Sequence, residues 1–191
     1  MADDFRDLNL GDLFRDWQPS EERPKRGESG SGENPYESSS ETENRVPRAL
    51  NEKEVRVLGI WGAHDPKDPD SPPKQTFVLL RDNRGRKAPI FIGPFETVAI
   101  QMAIEEKSPE RPLTHDLLRN VIERMGGKVE RVTIDDLWQS TFYARITITL
   151  KDNQTIDIDA RPSDAIALAL RTRSPIYMAE DVIEVAGRED E

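Results

Sequence analysis

The stretch Ile156-Asp157-Ile158-Asp159-Ala160-Arg161-Pro162-Ser163-Asp164 concentrates the side chains best suited to chemistry. Strand alternation sets Asp157 and Asp159 opposite Ile156 and Ile158. Pro162 then opens a helix whose first turn carries Ser163 and Asp164. Asp159, Arg161 and Asp164 are therefore expected at one strand-to-helix junction. Carboxylates gathered in this way suit a divalent cation, which takes oxygen ligands and activates water for attack on phosphorus. A guanidinium beside them suits two-pronged capture of a phosphate. The competing reading of the spacing is structural: Ser163 and Asp164 cap the helix, Asp159 pairs with Arg161, and nothing binds.

A second constellation is Arg111-Pro112-Leu113-Thr114-His115-Asp116. Thr114 is a good N-cap, and Asp116 falls in the first turn, where the helix dipole favours negative charge. The positive end of a helix is a poor place for an imidazolium, so His115 suits a base or ligand. A capping-turn histidine without chemistry is the alternative. Glu96, in the first turn of another helix, adds a carboxylate at a helix N-terminus. His64 sits in an Asp/Pro-rich loop that reads as exposed. Arg81, Arg84, Arg86 and Lys87 form the one dense basic cluster, read as an exposed hairpin turn or as a phosphate-contacting patch. Phosphate-cradling glycine motifs, zinc spacing and a Gly-x-Ser-x-Gly elbow are absent from the sequence.

These residues need elements to hold them. Val55 to Ile60 alternates as a strand, and Gln75–Arg81 and Lys87–Ile92 flank the turn Asp82-Asn83-Arg84-Gly85. A helix follows from Pro94 through Lys107. Leu117, Leu118, Val121, Ile122 and Met125 then recur at helical spacing until Gly126-Gly127. Val129–Ile134 reads as a strand, and Phe142 to Leu150 alternates strictly. Asp152-Asn153 turns the chain into Thr155–Asp159, and a helix runs from Pro162 to about Arg171. A short strand, Pro175–Met178, and a helical turn at Asp181–Val185 close the series. The fold class is α+β, a mixed or antiparallel sheet with helices packed on it. A shift of 66 residues lays Ile90-Phe91-Ile92 and Ala99–Ile104 on Ile156-Asp157-Ile158 and Ala165–Leu170, which suggests duplication of a hairpin-plus-helix unit.

Composition bounds the rest. Residues 51–187 hold the apolar runs and form the domain, while residues 1–50 and 188–191 lack the aliphatic side chains that would repay ordering and are expected to be disordered. Within the acidic N-terminal segment, Phe5, Leu8, Leu13, Phe14 and Trp17 mark a short amphipathic helix at 4–17, a docking motif for a protein partner if it has a role. The chain has no cysteine, which excludes disulfides and thiolate chemistry. Its start lacks a signal-peptide pattern, and its apolar runs fall short of the roughly 20 residues a membrane helix needs. A cytoplasmic protein without membrane contact is expected. Net charge is −10, and the domain carries 19 basic and 22 acidic side chains. That balance excludes a general nucleic-acid binder, whose affinity rests on basic surplus, and leaves only transient contact through a local patch.

Ile90-Phe91-Ile92-Gly93-Pro94-Phe95-Glu96, Arg111–Leu117 and Asp159–Ala169 together resemble the signatures of the bifunctional nuclease family, in the same order, across about residues 53–186. The resemblance implies an α+β fold, hydrolysis of phosphodiester bonds in RNA and DNA, and homo-oligomers. The family's polar positions fall on Glu96, Thr114, His115, Asp116, Arg161, Ser163 and Asp164. The expected catalytic set is then His115, Asp164, Glu96 and Arg161. Arg161, Ser163 and Thr114 would contact substrate, and Asp159, Asp164 and Asp116 would hold Mg²⁺ or Mn²⁺. The alternative is a non-catalytic oligomeric binding module whose polar motifs are structural.

Overall fold

The structure, a computed structural model, describes residues 51–63, 73, 75–107 and 109–187. The segments expected to be disordered, the helix expected at 4–17 and the loop expected around His64 lie outside those residues. The elements run β1 (Glu52–Ala63), β2 (Gln75–Asp82), β3 (Lys87–Ile92), α1 (Pro94–Ile104), α2 (Thr114–Met125), β4 (Lys128–Trp138), β5 (Thr141–Thr149), β6 (Thr155–Ala160), α3 (Pro162–Thr172), β7 (Ile176–Ala179) and α4 (Glu180–Ala186).

All seven strands form one sheet in the order β3-β2-β1-β7-β4-β5-β6. Two three-stranded antiparallel meanders, β1-β2-β3 and β4-β5-β6, are joined edge to edge by β7, which runs antiparallel to β1 and parallel to β4. The α+β expectation holds, with a mixed sheet. One face buries Val78, Leu80, Ile90, Val132, Ile134, Ala144, Ile146 and Met178. Helix α3 lies against β4 and β5 and is apolar nearly all round, with Ala165 to Ala169 buried. Helices α1 and α2 both pack on α3.

The structure does not show the duplication that the 66-residue match suggested; what it shows is a likeness of form at another spacing. β3 and α1 reappear as β6 and α3 68 residues on, 87 to 155 and 94 to 162. The strand register agrees: Val78 pairs with Ile90 as Ile146 pairs with Ile158. Both 66 and 68 are even, so either preserves the inward-outward alternation of a strand. The pairing with β2 and β5 selects 68, and Glu96 then corresponds to Asp164. This is a correspondence of form; common descent is a separate matter.

Ile156 and Ile158 do share the face of Ile148 and Ile146, but β6 is an edge strand and leaves both about two-fifths exposed. At the basic hairpin two of the four cations are engaged with acids. Arg86 donates two hydrogen bonds to Glu180 (2.9 and 3.1 Å) and one to Asp82 Oδ2 (2.8 Å), and Arg84 pairs with Glu180 at 3.5 Å. Lys87 is buried as well. A carboxylate as enclosed as that of Asp82 requires such partners, and here they pin the β2–β3 turn to the start of α4.

Candidate functional site

Three helix N-termini converge at the end of the molecule where β3 and β6 hand over to α1 and α3. Proline at the first position of α1 and α3, after the extended residues Gly93 and Arg161, starts both helices sharply. Each then carries an acid as its third residue, Glu96 in α1 and Asp164 in α3. Arg161 bridges them. Its Nη1 donates to Glu96 Oε1 (3.1 Å), its Nε to Asp164 Oδ2 (2.8 Å) and its Nη2 to Asp164 Oδ1 (3.2 Å). From the first turn of α2, His115 Nε2 meets Asp164 Oδ1 at 3.1 Å.

Exposure divides the labour. The Arg161 side chain is 68% exposed, while that of His115 is only 14% exposed. The guanidinium therefore faces outward, and the imidazole is held beneath it. Burial alone would raise the Asp164 carboxyl, but hydrogen bonds from Arg161 and His115 outweigh it and hold the group below the usual aspartate range. An ionised Asp164 only accepts hydrogen bonds, so His115 Nε2 is the donor, and the neutral imidazole in that tautomer has its lone pair on Nδ1.

Glycine at position 93 makes room for the cluster, because a Cβ there would lie 2.6 Å from Glu96 Oε2. Asp116 is close by but serves another purpose. The residue preceding α2 is Leu113 rather than Thr114, and Asp116 Oδ2 accepts its N–H at 3.0 Å. Asp116 Oδ1 accepts from Arg171 Nε at 2.7 Å, and Arg171 also donates to Ala167 O in α3 and Ala99 O in α1. Burial raises the Asp116 carboxyl, and these partners more than reverse it. With 6% of its side chain exposed, Arg171 clamps all three helices together behind the site. Its role was not read from the sequence. The available signal was a lone cation ending the apolar run Ala165–Leu170, seven residues beyond Asp164.

The structure thus gathers Glu96, His115, Arg161 and Asp164. It does not bring Asp159 or Asp116 into that group. Asp159 is registered opposite Arg145, on the sheet face away from α3, and Arg145 turns to Asp135 (2.7 Å) and Asp157 (3.5 Å). Ser163 is buried, whereas Thr114 is exposed near His115. Among the described residues, no three histidines or acids close in as a ready-made metal cage. No helix among them is long and apolar enough to cross a membrane.

This geometry offers a phosphate-sized anion an exposed guanidinium, convergent positive helix ends and an oriented imidazole. Known proteins place the chain. Residues 78–191, which include the whole cluster, match the bifunctional nuclease domain. An uncharacterized protein of Mycobacterium tuberculosis is 42% identical over 135 residues, 70% of this chain and 76% of that one. Bifunctional nuclease 2 of Oryza sativa subsp. japonica is 32% identical over 113 residues, and bifunctional nuclease 1 of Arabidopsis thaliana is 27% identical over 113. Those matches cover 58% of this chain and 35% of each plant protein, so the chain spans about a third of their length. On the domain match and the mycobacterial identity together, the chain belongs to the bifunctional nuclease domain family.

Proposed function

We propose that the chain hydrolyses phosphodiester bonds of RNA and DNA at the Glu96–His115–Arg161–Asp164 cluster. The observation that carries this reading is Arg161, exposed at the meeting point of three helix N-termini beside a histidine already oriented by a carboxylate. Arg161 turns from Asp164 and Glu96 to the non-bridging phosphate oxygens and neutralises charge as the attacking oxygen adds. His115 Nδ1 takes the proton of the attacking water, and Asp164 holds the imidazole in position. The phosphorus–oxygen bond to one nucleotide breaks, the leaving oxygen takes a proton from solvent water, and His115 returns to solvent the proton it accepted. The plant relatives are named bifunctional nuclease, which supports a nuclease activity; RNA and DNA as its two substrates are what the family resemblance implies.

The donor set fits a divalent ion shared with substrate rather than one caged by protein. Mg²⁺ is commonly held by one or two carboxylates plus phosphate oxygens, and Asp164 and Glu96 supply such a pair once Arg161 moves to the phosphate. Bound Mg²⁺ or Mn²⁺ would supply Lewis acidity toward the phosphate.

The chain also assembles with copies of itself through α2, on this reading. None of its residues is buried, and Leu117, Leu118, Val121 and Met125 all stand exposed. A patch of that kind marks an interface.

Cleavage of labelled single-stranded RNA and DNA by the purified chain tests the function, with Mg²⁺, Mn²⁺ or chelator and with Asp164→Asn beside the wild type. Cleavage lost in a folded Asp164→Asn variant is expected, and chelator should abolish it. Equal cleavage by both proteins would place the activity elsewhere. A second reading, a binding module without catalysis, is favoured by the mutual satisfaction of Arg161, Asp164, Glu96 and His115. It gains if the wild type is folded and inert and Asp164→Asn unfolds.

A further inference from the structure

We propose that Phe95 is the stacking platform for an unpaired base next to the scissile phosphate, which makes single-stranded nucleic acid the preferred substrate. This rests on the phosphodiesterase reading of the neighbouring cluster. Phe95 is 86% exposed, more than any other large apolar side chain among the described residues. Keeping a phenyl ring in water forgoes about 1.5–3 kcal/mol of burial. Its backbone is nevertheless fixed in the first turn of α1, between Pro94 and Glu96. Glu96 is the residue that accepts Arg161 Nη1, so the ring is borne one residue from a ligand of the phosphate-facing guanidinium. Val98 stands three residues on, along the same helical face, and is 56% exposed, which extends the apolar strip away from the cluster.

A base fits this strip better than a protein surface does. The buried centre of a protein interface is depleted in charge, whereas Phe95 is next in sequence to Glu96, which is bonded to Arg161. Single-strand binders pair a cation for the backbone with an aromatic for the base, and Arg161 with Phe95 makes that pair. Every base has a π-face, so the contact carries little sequence preference. In a duplex the faces are stacked on neighbours and out of reach.

The test compares full-length wild type, Phe95→Ala and Phe95→Trp. The probes are a labelled single-stranded oligonucleotide, its duplex, and the same strand with an abasic site at each position in turn. Binding is read by fluorescence anisotropy and turnover by cleavage. Phe95→Ala should weaken single-strand binding and kcat/KM by roughly 5- to 150-fold, with Phe95→Trp restoring both. One abasic position should weaken wild-type binding by a similar factor and leave Phe95→Ala unaffected. The duplex should be a poor substrate for all three proteins. Equal behaviour of Phe95→Ala and wild type on single strands would overturn the proposal. So would a loss shared equally by duplex and single strand, or a change in oligomeric state on light scattering, which would give the ring to a protein interface. If the wild type binds without cleaving, the nuclease reading fails while the abasic series still decides the platform. Absence of any single-strand binding overturns the platform too.

Discussion

Arg161 is the residue on which the site turns. Its planar fork reaches Asp164 through two nitrogens and Glu96 through a third, a reach that a lysine ammonium lacks. Arg161→Lys should therefore lower kcat/KM for cleavage by about 10²-fold while thermal unfolding changes little. Wild-type rates in that variant would remove Arg161 from the phosphate. Position 93 tests geometry without touching a charge. Since φ at Gly93 is ordinary and the clash is with the movable end of Glu96, Gly93→Ala should keep its stability and shift the carboxylate. The expected result is reduced turnover in a protein whose urea midpoint matches wild type. A large drop in that midpoint would mean that the backbone, not Glu96, gives way.

At the scale of elements, the site depends on how α1, α2 and α3 are tied. Arg171 is shared among Asp116, Ala99 O and Ala167 O, and removing one partner of such an enclosed pair leaves the other uncompensated. Arg171→Met should destabilise the fold by about 3 kcal/mol in urea titration. Asp116→Asn should cost less, because the amide oxygen still accepts the Leu113 N–H. An Arg171→Met protein as stable as wild type would show that packing alone aligns the three helix ends. The Arg86–Asp82–Glu180 group does the corresponding work at the other hairpin, where it fixes α4 to the β2–β3 turn.

For the whole molecule, four enclosed acids share one sign. Burial opposes ionisation of Asp82, Asp116 and Asp164, and hydrogen bonds outweigh it, from Arg86 at Asp82, from the Leu113 N–H and Arg171 at Asp116, and from Arg161 and His115 at Asp164, while at Glu180 the Arg86 hydrogen bond leads; all four are held below their ordinary values. An acid whose folded pKa is depressed adds stability that is present above its unfolded value, near 4, and is lost as pH falls through the folded value. Stability should therefore be level through neutral pH and drop steeply below about pH 4. Asp164→Asn should flatten part of that drop in thermal melts between about pH 2 and 5. An identical slope would contradict the assigned pairing. Assembly belongs to this scale as well. Val121→Glu on the exposed face of α2 should lower the mass seen by light scattering, and an unchanged mass would exclude that face.

The sequence by itself determined most elements, because their signals are local. Strict alternation over Phe142–Leu150 gave β5, and proline after an extended run set the starts of α1 and α3. Glycine at 126, with φ of +84°, stopped α2 where a side chain would be strained. The same local logic put Glu96, His115, Arg161 and Asp164 at helix starts. Only tertiary structure decided which of them meet. Asp159 is two residues from Arg161, yet the pleat turns it to the opposite face of the sheet, while Glu96 arrives from 65 residues away. Nor does a four-residue strand announce its place in a sheet. β7 lies at the centre because both meanders have an unpaired edge to satisfy there, and that is a property of strands distant in sequence. The offset between the two similar strand-helix stretches was ambiguous for the same reason: even shifts look alike along one strand, and only its partner's register tells them apart.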